Sequence, residues 1–399
     1  MSIRLRTFTF AALAGASVLA LPLIAQQGSG SNPVARYDMR AGTVSGASAM
    51  GAGGMMGMML GGRGSNNVQH ELYLRIGSTR APERGSPKAD HFMPPSARLG
   101  KSVALVTPRE ERIPDMLPEK PKGRLLIFWG CGERAPKGQP VVLDFARLAA
   151  GQVPAGMPTS TVIRDWGPSA TNSRTFARWP AEDGKFVKSD SALPGAHRIV
   201  SNYAPEINFT LARDFMAPVS TRSSSTPGGA SLVSWTGVPG ATAWLVGMFG
   251  GRQGPGGDMG DMVMWTSSAT RQFGGGLADW ISPGQAASLV RDRTLLAPAT
   301  TSCIVPAEVI RAAVDFRVGT LTAFGPEETF SYPPRPATGP WNLQWTARIR
   351  HRSSTSWMQM QGMSMGGAAQ GEQQGGQQCK RKGGLGGALG GIMGGGGGC

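Results

Sequence analysis

The sequence predicts an all-β protein built as two β-sandwiches in tandem, with disordered Gly/Met-rich segments at both ends. Three observations predict it. Short runs of Val, Leu and aromatic residues recur along the chain, each closed by Gly, Pro or charged turn residues. That is the pattern of strands rather than helices. A stretch without apolar period, 219–229, divides these runs into two sets. Composition then bounds the class. With 40 % apolar residues the chain can build a core, and 16 % charged residues is too few for a solvated polyelectrolyte, against about 25 % in ordinary soluble domains. The 59 Gly and 30 Pro show no three-residue period and only one long apolar run occurs, which excludes collagen and a polytopic membrane protein.

Residues 1–25 read as a secretory signal peptide. Arg4 and Arg6 form the positive end, FTFAALAGASVLALPLI (8–24) the apolar run, and Pro22 breaks the helix before a cleavage point at Ala25. Seventeen residues interrupted by Pro are short for a bilayer span, so no transmembrane segment is expected in the mature chain. Residues 26–67, ending in GASAMGAGGMMGMMLGGRGSNN, read as a flexible segment, because Gly has the most backbone entropy to lose on ordering. In 68–218, HELYLRIGS and INFTLARDF alternate apolar with polar residues, as a strand with one buried face requires. The continuous run LLIFW suits a central strand covered on both sides. The Ser/Thr/Pro/Gly-rich 219–229 is the expected linker. Residues 230–356 supply SLVSWTGV, AWLVGMFG, DMVMWTSS, TSCIV, GTLTAFG and WNLQWTARIRHRS as strands, with short helices at ISPGQAASLVRDR and PAEVIRAAVDF. Residues 357–399, dominated by Gly, Met and Gln, read as a flexible tail.

In the second set, SLVSWTGVPGATAWLVGMFG (231–250) resembles a fibronectin type III or related immunoglobulin-like domain. Trp235 stands where that family packs a core Trp near the end of its second strand. Pro239-Gly240-Ala241 matches the following turn, Trp244 the inward aromatic, and GTLTAFG the later V-x-V-x-A-x-G strand. The resemblance covers about 100 residues and implies immunoglobulin-like sandwiches; it carries no activity with it. The whole chain is also similar to exported bacterial envelope proteins.

A formal charge of +15 favours attraction to polyanions. Lys and Arg are scattered, however, and the longest cluster is Lys380-Arg381-Lys382. A nucleic-acid binder needs a concentrated basic stripe or a known module, so none is expected. Four Cys allow three pairings. Cys379 and Cys399, bracketing a Gly-rich loop, are the disulfide candidates, with Cys131 and Cys303 in strand-like runs of different sets.

Catalytic constellations are missing from the sequence. The four His (His70, His91, His197 and His351) show no metal-ligand spacing, and C-x-x-C, H-E-x-x-H and G-x-S-x-G are absent. Leu99-Gly100-Lys101-Ser102 imitates a phosphate loop, but Pro95 stands where that loop needs Gly. Methionine is the enriched side chain with chemistry to offer. Its clusters are Met55–Met59, Met259–Met264 and Met358–Met365, and thioethers are soft ligands that select Cu(I). The expected function is therefore a non-enzymatic exported envelope protein with a structural, adhesive, or protein- or glycan-binding role. Its partner would be an envelope protein, a polysaccharide or a second copy of the chain. Trp166, Trp179, Trp341 and Tyr332 are the candidate contact residues. The alternative is a periplasmic Cu(I)-binding protein with Met259, Met262 and Met264 as ligands and Trp265 as an aromatic cap.

Overall fold

A computed structural model describes residues 32–49, 68–108, 123–152, 167–181, 186–253, 259–272, 277, 280–360 and 363–365. Residues 1–25, where a signal peptide is expected, lie outside these residues. Among the described residues strands dominate and form three sheets, consistent with an all-β chain.

The first strand, β1 (Ala35–Gly46), falls within the segment expected to be flexible. Its odd residues Ala35, Tyr37, Met39 and Ala41 are buried in an apolar core, while Arg36, Asp38 and Arg40 take the opposite face. A strand imposes this alternation. β1 lies between β2 (Val68–Ser78), antiparallel, and β17 (Trp345–Met360), parallel, pairing with both over nearly its full length. Gly and Ser at its end hide the pattern in the composition, and most partners of its charged residues come from other strands, β2 and β17.

The large sheet adds β5 (Arg124–Trp129), β6 (Val141–Asp144), β7 (Thr175–Trp179), β13 (Ala243–Gln253), β14 (Met259–Thr266) and β16 (Phe316–Tyr332) to these three strands. Its order is β6-β5-β14-β13-β16-β17-β1-β2-β7. Short β8 (Phe186–Val187) pairs with β2, and β18 (Met363–Met365) pairs with β17. β16 has 17 residues, which at about 3.3 Å each span roughly 55 Å. Two small sheets cover one face of this platform, which we call the inner face. One is β10-β9-β3-β4, made of β3 (Ala89–Phe92), β4 (Val103–Leu105), β9 (Gly195–Ser201) and β10 (Ile207–Leu211). The other is β11-β12-β15, made of β11 (Thr221–Ser225), β12 (Ser231–Trp235) and β15 (Ser302–Val305).

Two inner cores result. Leu72, Leu74, Ile76, Trp345, Ala347 and Ile349 meet Ile199, Ile207 and Phe209 in the first. Val246, Val263, Trp265, Leu321 and Ala323 meet Val233, Trp235 and Val305 in the second, with Trp235 and Trp244 in ring contact at 5.6 Å. The sets of strands on either side of 219–229 are interleaved. β5 and β6 come from the first set, yet β5 pairs with β14 of the second, and the Cys131–Cys303 disulfide joins the two sets with its Cα atoms 5.4 Å apart. The expected linker contains β11, whose Ser and Thr residues serve as an edge strand; Ser223 shares a 2.9 Å hydroxyl contact with Ser231. Cys379 and Cys399 lie outside the described residues.

Both expected helices form. α2 (Pro283–Arg291) starts with a capping box in which Ser282 and Gln285 satisfy each other's backbone N–H groups. It packs Ala286 and Leu289 against Ala243 and Phe324 on the outer face of the sheet. α3 (Ala307–Ala312) follows β15, and α1 (Phe145–Ala149) is capped by Asp144.

The tail expected to begin at 357 opens with core structure. Trp357 is buried opposite Gly319, where a Cβ would overlap the indole. Gly319 is thus the cross-strand seat for this ring. Trp357→Ala is expected to cost about 3–5 kcal/mol, as for other buried large aromatics, measured by urea unfolding. Met358→Ala, half-buried on the other face, is expected to cost far less.

Candidate functional site

The polar groups that the fold concentrates sit on either side of β1. Tyr37 faces inward and its hydroxyl lies 2.7 Å from His91 Nδ1. His91 Nε2 lies 3.0 Å from His197 Nδ1, and His197 Nε2 lies 2.8 Å from the Leu193 carbonyl. That carbonyl only accepts, and burial favours the neutral form of both imidazoles, so the remaining protons follow. His197 Nε2–H donates to it, His91 Nε2–H donates to His197 Nδ1, and Tyr37 O–H donates to His91 Nδ1. Both imidazoles are neutral and fully bonded.

Burial drives the His91 pKa well below its usual value, with repulsion from His197 adding to it. Burial also lowers His197, against the opposing effect of the Leu193 carbonyl. Tyr37 is raised by burial and by neighbouring Asp38. His197 stacks on Phe209 at 5.1 Å, and Phe209 on Phe330 at 5.0 Å. The chain of bonds ends on backbone, so its chemistry is to hold β1 to β3 and β9.

Asp38, the next residue, faces outward and is 1 % exposed. Four guanidinium groups converge on its carboxylate: Arg40 at 3.1 Å, Arg75 at 3.2 Å, Arg348 at 3.0 Å and Arg350 at 3.0 Å. Arg350 also donates to the Trp280 carbonyl. Beside it Glu71 takes Arg352 at 2.7 Å, and that guanidinium lies 4.2 Å over the Trp280 ring. Burial raises the Glu327 pKa although Arg348 and Arg350 oppose it. This network clamps β1, β2 and β17 and draws in the segment before α2.

The two remaining His are also buried. His70 stacks on Phe215 at 3.9 Å, and burial lowers its pKa. His351 is held at about 4 by burial, then by Arg213.

The aromatic contact candidates divide. Trp166 lies outside the described residues and Trp179 is half-buried against the first core. Tyr332 ends β16, and Trp341 lies in the loop that leads on to β17. Tyr332 is 55 % exposed and stacks on buried Trp345 at 6.0 Å with the rings 18° apart. Trp341 donates its indole N–H to the Pro333 carbonyl at 3.0 Å, and the Arg335 guanidinium lies 5.8 Å over its ring.

Among the methionine ligand candidates, Met262 and Met264 lie on the outer face of β14 against Leu125, Ile127 and Leu143. Met259 opens β14 opposite Gln253, beyond a register irregularity. Trp265 cannot cap them. It is the next residue after Met264 on a strand, hence on the opposite face, fully buried with its indole N–H on the Gly130 carbonyl at 2.9 Å. Among the described residues no group of three or more His, Cys, Asp or Glu could hold a metal ion. The Asp38 clamp and the His91–His197 chain were missed in the sequence. The clamp had a signal: ARYDMR and ARIRHR place charged residues at every second position, which marks a strand with one charged face. The His chain had none, since its members are 106 residues apart.

Compared with known proteins, the chain matches no family model, no curated protein and no solved structure.

Two outcomes follow from this geometry. Asp38→Ala leaves four arginines around an empty position and is expected to cost about 3–5 kcal/mol, the usual penalty for breaking a buried ion cluster from one side, read by chemical denaturation. The histidines give the second. Their folded pKa values lie below the unfolded 6.5, so the unfolded chain binds protons first. Stability is then complete above about pH 6.5 and lost as pH falls toward the value of about 4 for His351. Each neutral His contributes a slope of up to about 1.4 kcal/mol per pH unit in that window. His351→Gln is expected to flatten the slope by one such increment, measured by denaturation between pH 6 and 5.

Proposed function

We propose that this is a non-enzymatic exported protein of the cell envelope that binds a protein or glycan through the β16–β17 loop. The observation that carries the proposal is the loop itself. Tyr332, the most exposed large apolar side chain among the described residues, is pre-positioned by stacking on buried Trp345, with Trp341 and Arg335 stacked nearby. Aromatic faces held rigid at low entropy cost are what binding surfaces use. The four histidines support a non-catalytic role, because all are buried and shifted toward the neutral form. The Cys131–Cys303 disulfide fits an oxidising compartment, and the +15 charge fits an anionic envelope. The sandwich around Trp235 and Trp244 keeps its immunoglobulin-like reading within this proposal, in which loops between strands are the contact regions.

The test is in-cell crosslinking from a photoreactive residue at position 332, compared with one at exposed Val142 on the far edge strand. A discrete envelope partner is expected from 332 alone. Tyr332→Ala combined with Trp341→Ala is expected to weaken retention on envelope material by about 30-fold, the equivalent of one hot spot of about 2 kcal/mol. Equal labelling from both positions, or unchanged retention, removes the loop from the function.

A further inference from the structure

The outer face around the Asp38 clamp carries more positive charge than its carboxylates balance. Residues in register on neighbouring strands share a face. The row through Asp38 therefore reads Arg178, Arg75, Asp38, Arg348 across β7, β2, β1 and β17. On one side of it stand Tyr73, Arg40, Arg350 and Glu327. On the other, nearer the start of β1, stand Gly77, Arg36, Thr346 and Ser331. With the Glu71–Arg352 pair set aside, six arginines on these rows of described residues meet two carboxylates, Asp38 and Glu327. Burial also pushes Glu327 toward its neutral form, so positive charge exceeds negative by at least four.

The imbalance is greatest at Arg36, whose row contains no acid. Gly77 on one side has no side chain, and Thr346 on the other offers a hydroxyl. Arg36 donates to the Asn172 carbonyl at 2.8 Å and to its Oδ1 at 3.1 Å, so the loop 167–174 walls this end. Burial lowers the Arg36 pKa and the charge of Arg348 lowers it further; like charges stand close enough to repel. Arg75 and Arg348 each lie one strand across from Arg36 and two residues along, steps of about 5 Å and about 7 Å. Both bond Asp38, yet 21 % and 20 % of their side-chain surface stays exposed. A guanidinium carries five N–H donors, so bonding Asp38 is compatible with bonding a second oxyanion.

We propose that the outer face between Arg36, Arg75 and Arg348 binds a phosphate-class oxyanion, with the Thr346 hydroxyl as a further donor. A phosphate group carries about two negative charges at neutral pH and takes guanidinium forks in a bidentate fit. A lone carboxylate, with one charge, would leave most of the excess standing. Partial burial sets the size of the ligand. An inorganic phosphate, or the terminal phosphate of a larger molecule, reaches recessed guanidiniums, whereas a flat bilayer does not. The site is separate from the aromatic loop, because Trp345, on which Tyr332 stacks, belongs to the inner core.

The test titrates inorganic phosphate into the purified full chain by calorimetry, with ionic strength held constant by chloride so that screening does not vary. One phosphate per chain is expected. Arg36→Gln leaves the four arginines that bond Asp38 in place. It is expected to weaken binding by at least about 10-fold, the loss of one charge-assisted hydrogen bond. Arg36→Lys, which keeps the charge but loses the fork, is expected to fall between. Arg222→Gln, on edge strand β11, is expected to change nothing, and acetate is expected to bind far more weakly than phosphate. A sugar 1-phosphate separates the two sources: affinity gained from the sugar marks a larger phosphorylated molecule as the ligand, and none gained marks the phosphate itself. Arginine modification by phenylglyoxal, read by mass spectrometry on the wild type, needs no variant. Phosphate is expected to slow it at Arg36 and not at Arg222. No saturable binding at constant ionic strength, an unaffected R36Q, equal affinity for acetate, or equal protection of Arg222 each overturns the assignment.

Discussion

The parallel pairing of β1 with β17 sets the rest of the structure. It places Tyr37 and Asp38, neighbours in sequence, on opposite faces of one sheet. Each then holds a different part of the molecule. Tyr37 reaches through two neutral imidazoles to the covering sheet, and Asp38 gathers arginines from β1, β2 and β17. Without β1 the large sheet would be cut between β17 and β2, and both networks would lose their central member.

The two networks differ in what they ask of the interior. The Tyr37–His91–His197 chain is uncharged, so it avoids the desolvation cost of a buried ion while satisfying every ring nitrogen. The Asp38 cluster carries charge into a nearly closed site, and such clusters add little net stability over an apolar equivalent while being costly to break from one side. Its physical contribution is register. A one-residue slip of β1 against β17 would exchange Tyr37 and Asp38 between faces, leaving a carboxylate in the apolar core and a phenol among guanidiniums. Charge on one face and an aromatic chain on the other therefore specify a single alignment of a strand whose last residues, Gly, Thr, Val, Ser and Gly, specify little.

What was legible in the sequence was whatever repeats locally. HELYLRI and INFTLARDF formed half-buried strands, and LLIFW became β5, with Ile127 buried on one face and Phe128 on the other. ISPGQAASLVRDR formed a helix because its cap is local too. The unread parts depend on distant partners. β1 is paired by residues some 310 positions away, and the division at 219–229 dissolves because β5 crosses to β14. For the Met cluster the period itself was available. Met264 and Trp265 are adjacent, so on a strand they face apart, and grouping them as ligand and cap treated the segment as though it had no period.

β17 joins these features in one element. Trp345 at its start supports the aromatic loop, Arg348 and Arg350 in its middle belong to the Asp38 clamp, and Met358 and Met360 at its end pair with β18. Its 16 residues extend about 50 Å at strand spacing. It is hydrogen-bonded on one side to β16 and on the other to β1 over most of that length. Among the described residues, the register of β16 against β17 shifts between Phe324 and Glu327, opposite Arg352 and Arg350. That irregularity falls at the clamp, where Arg350 and Arg348 tie β17 to Asp38 of β1 from the other side, so the side-chain network holds the strand where one of its two ladders is interrupted.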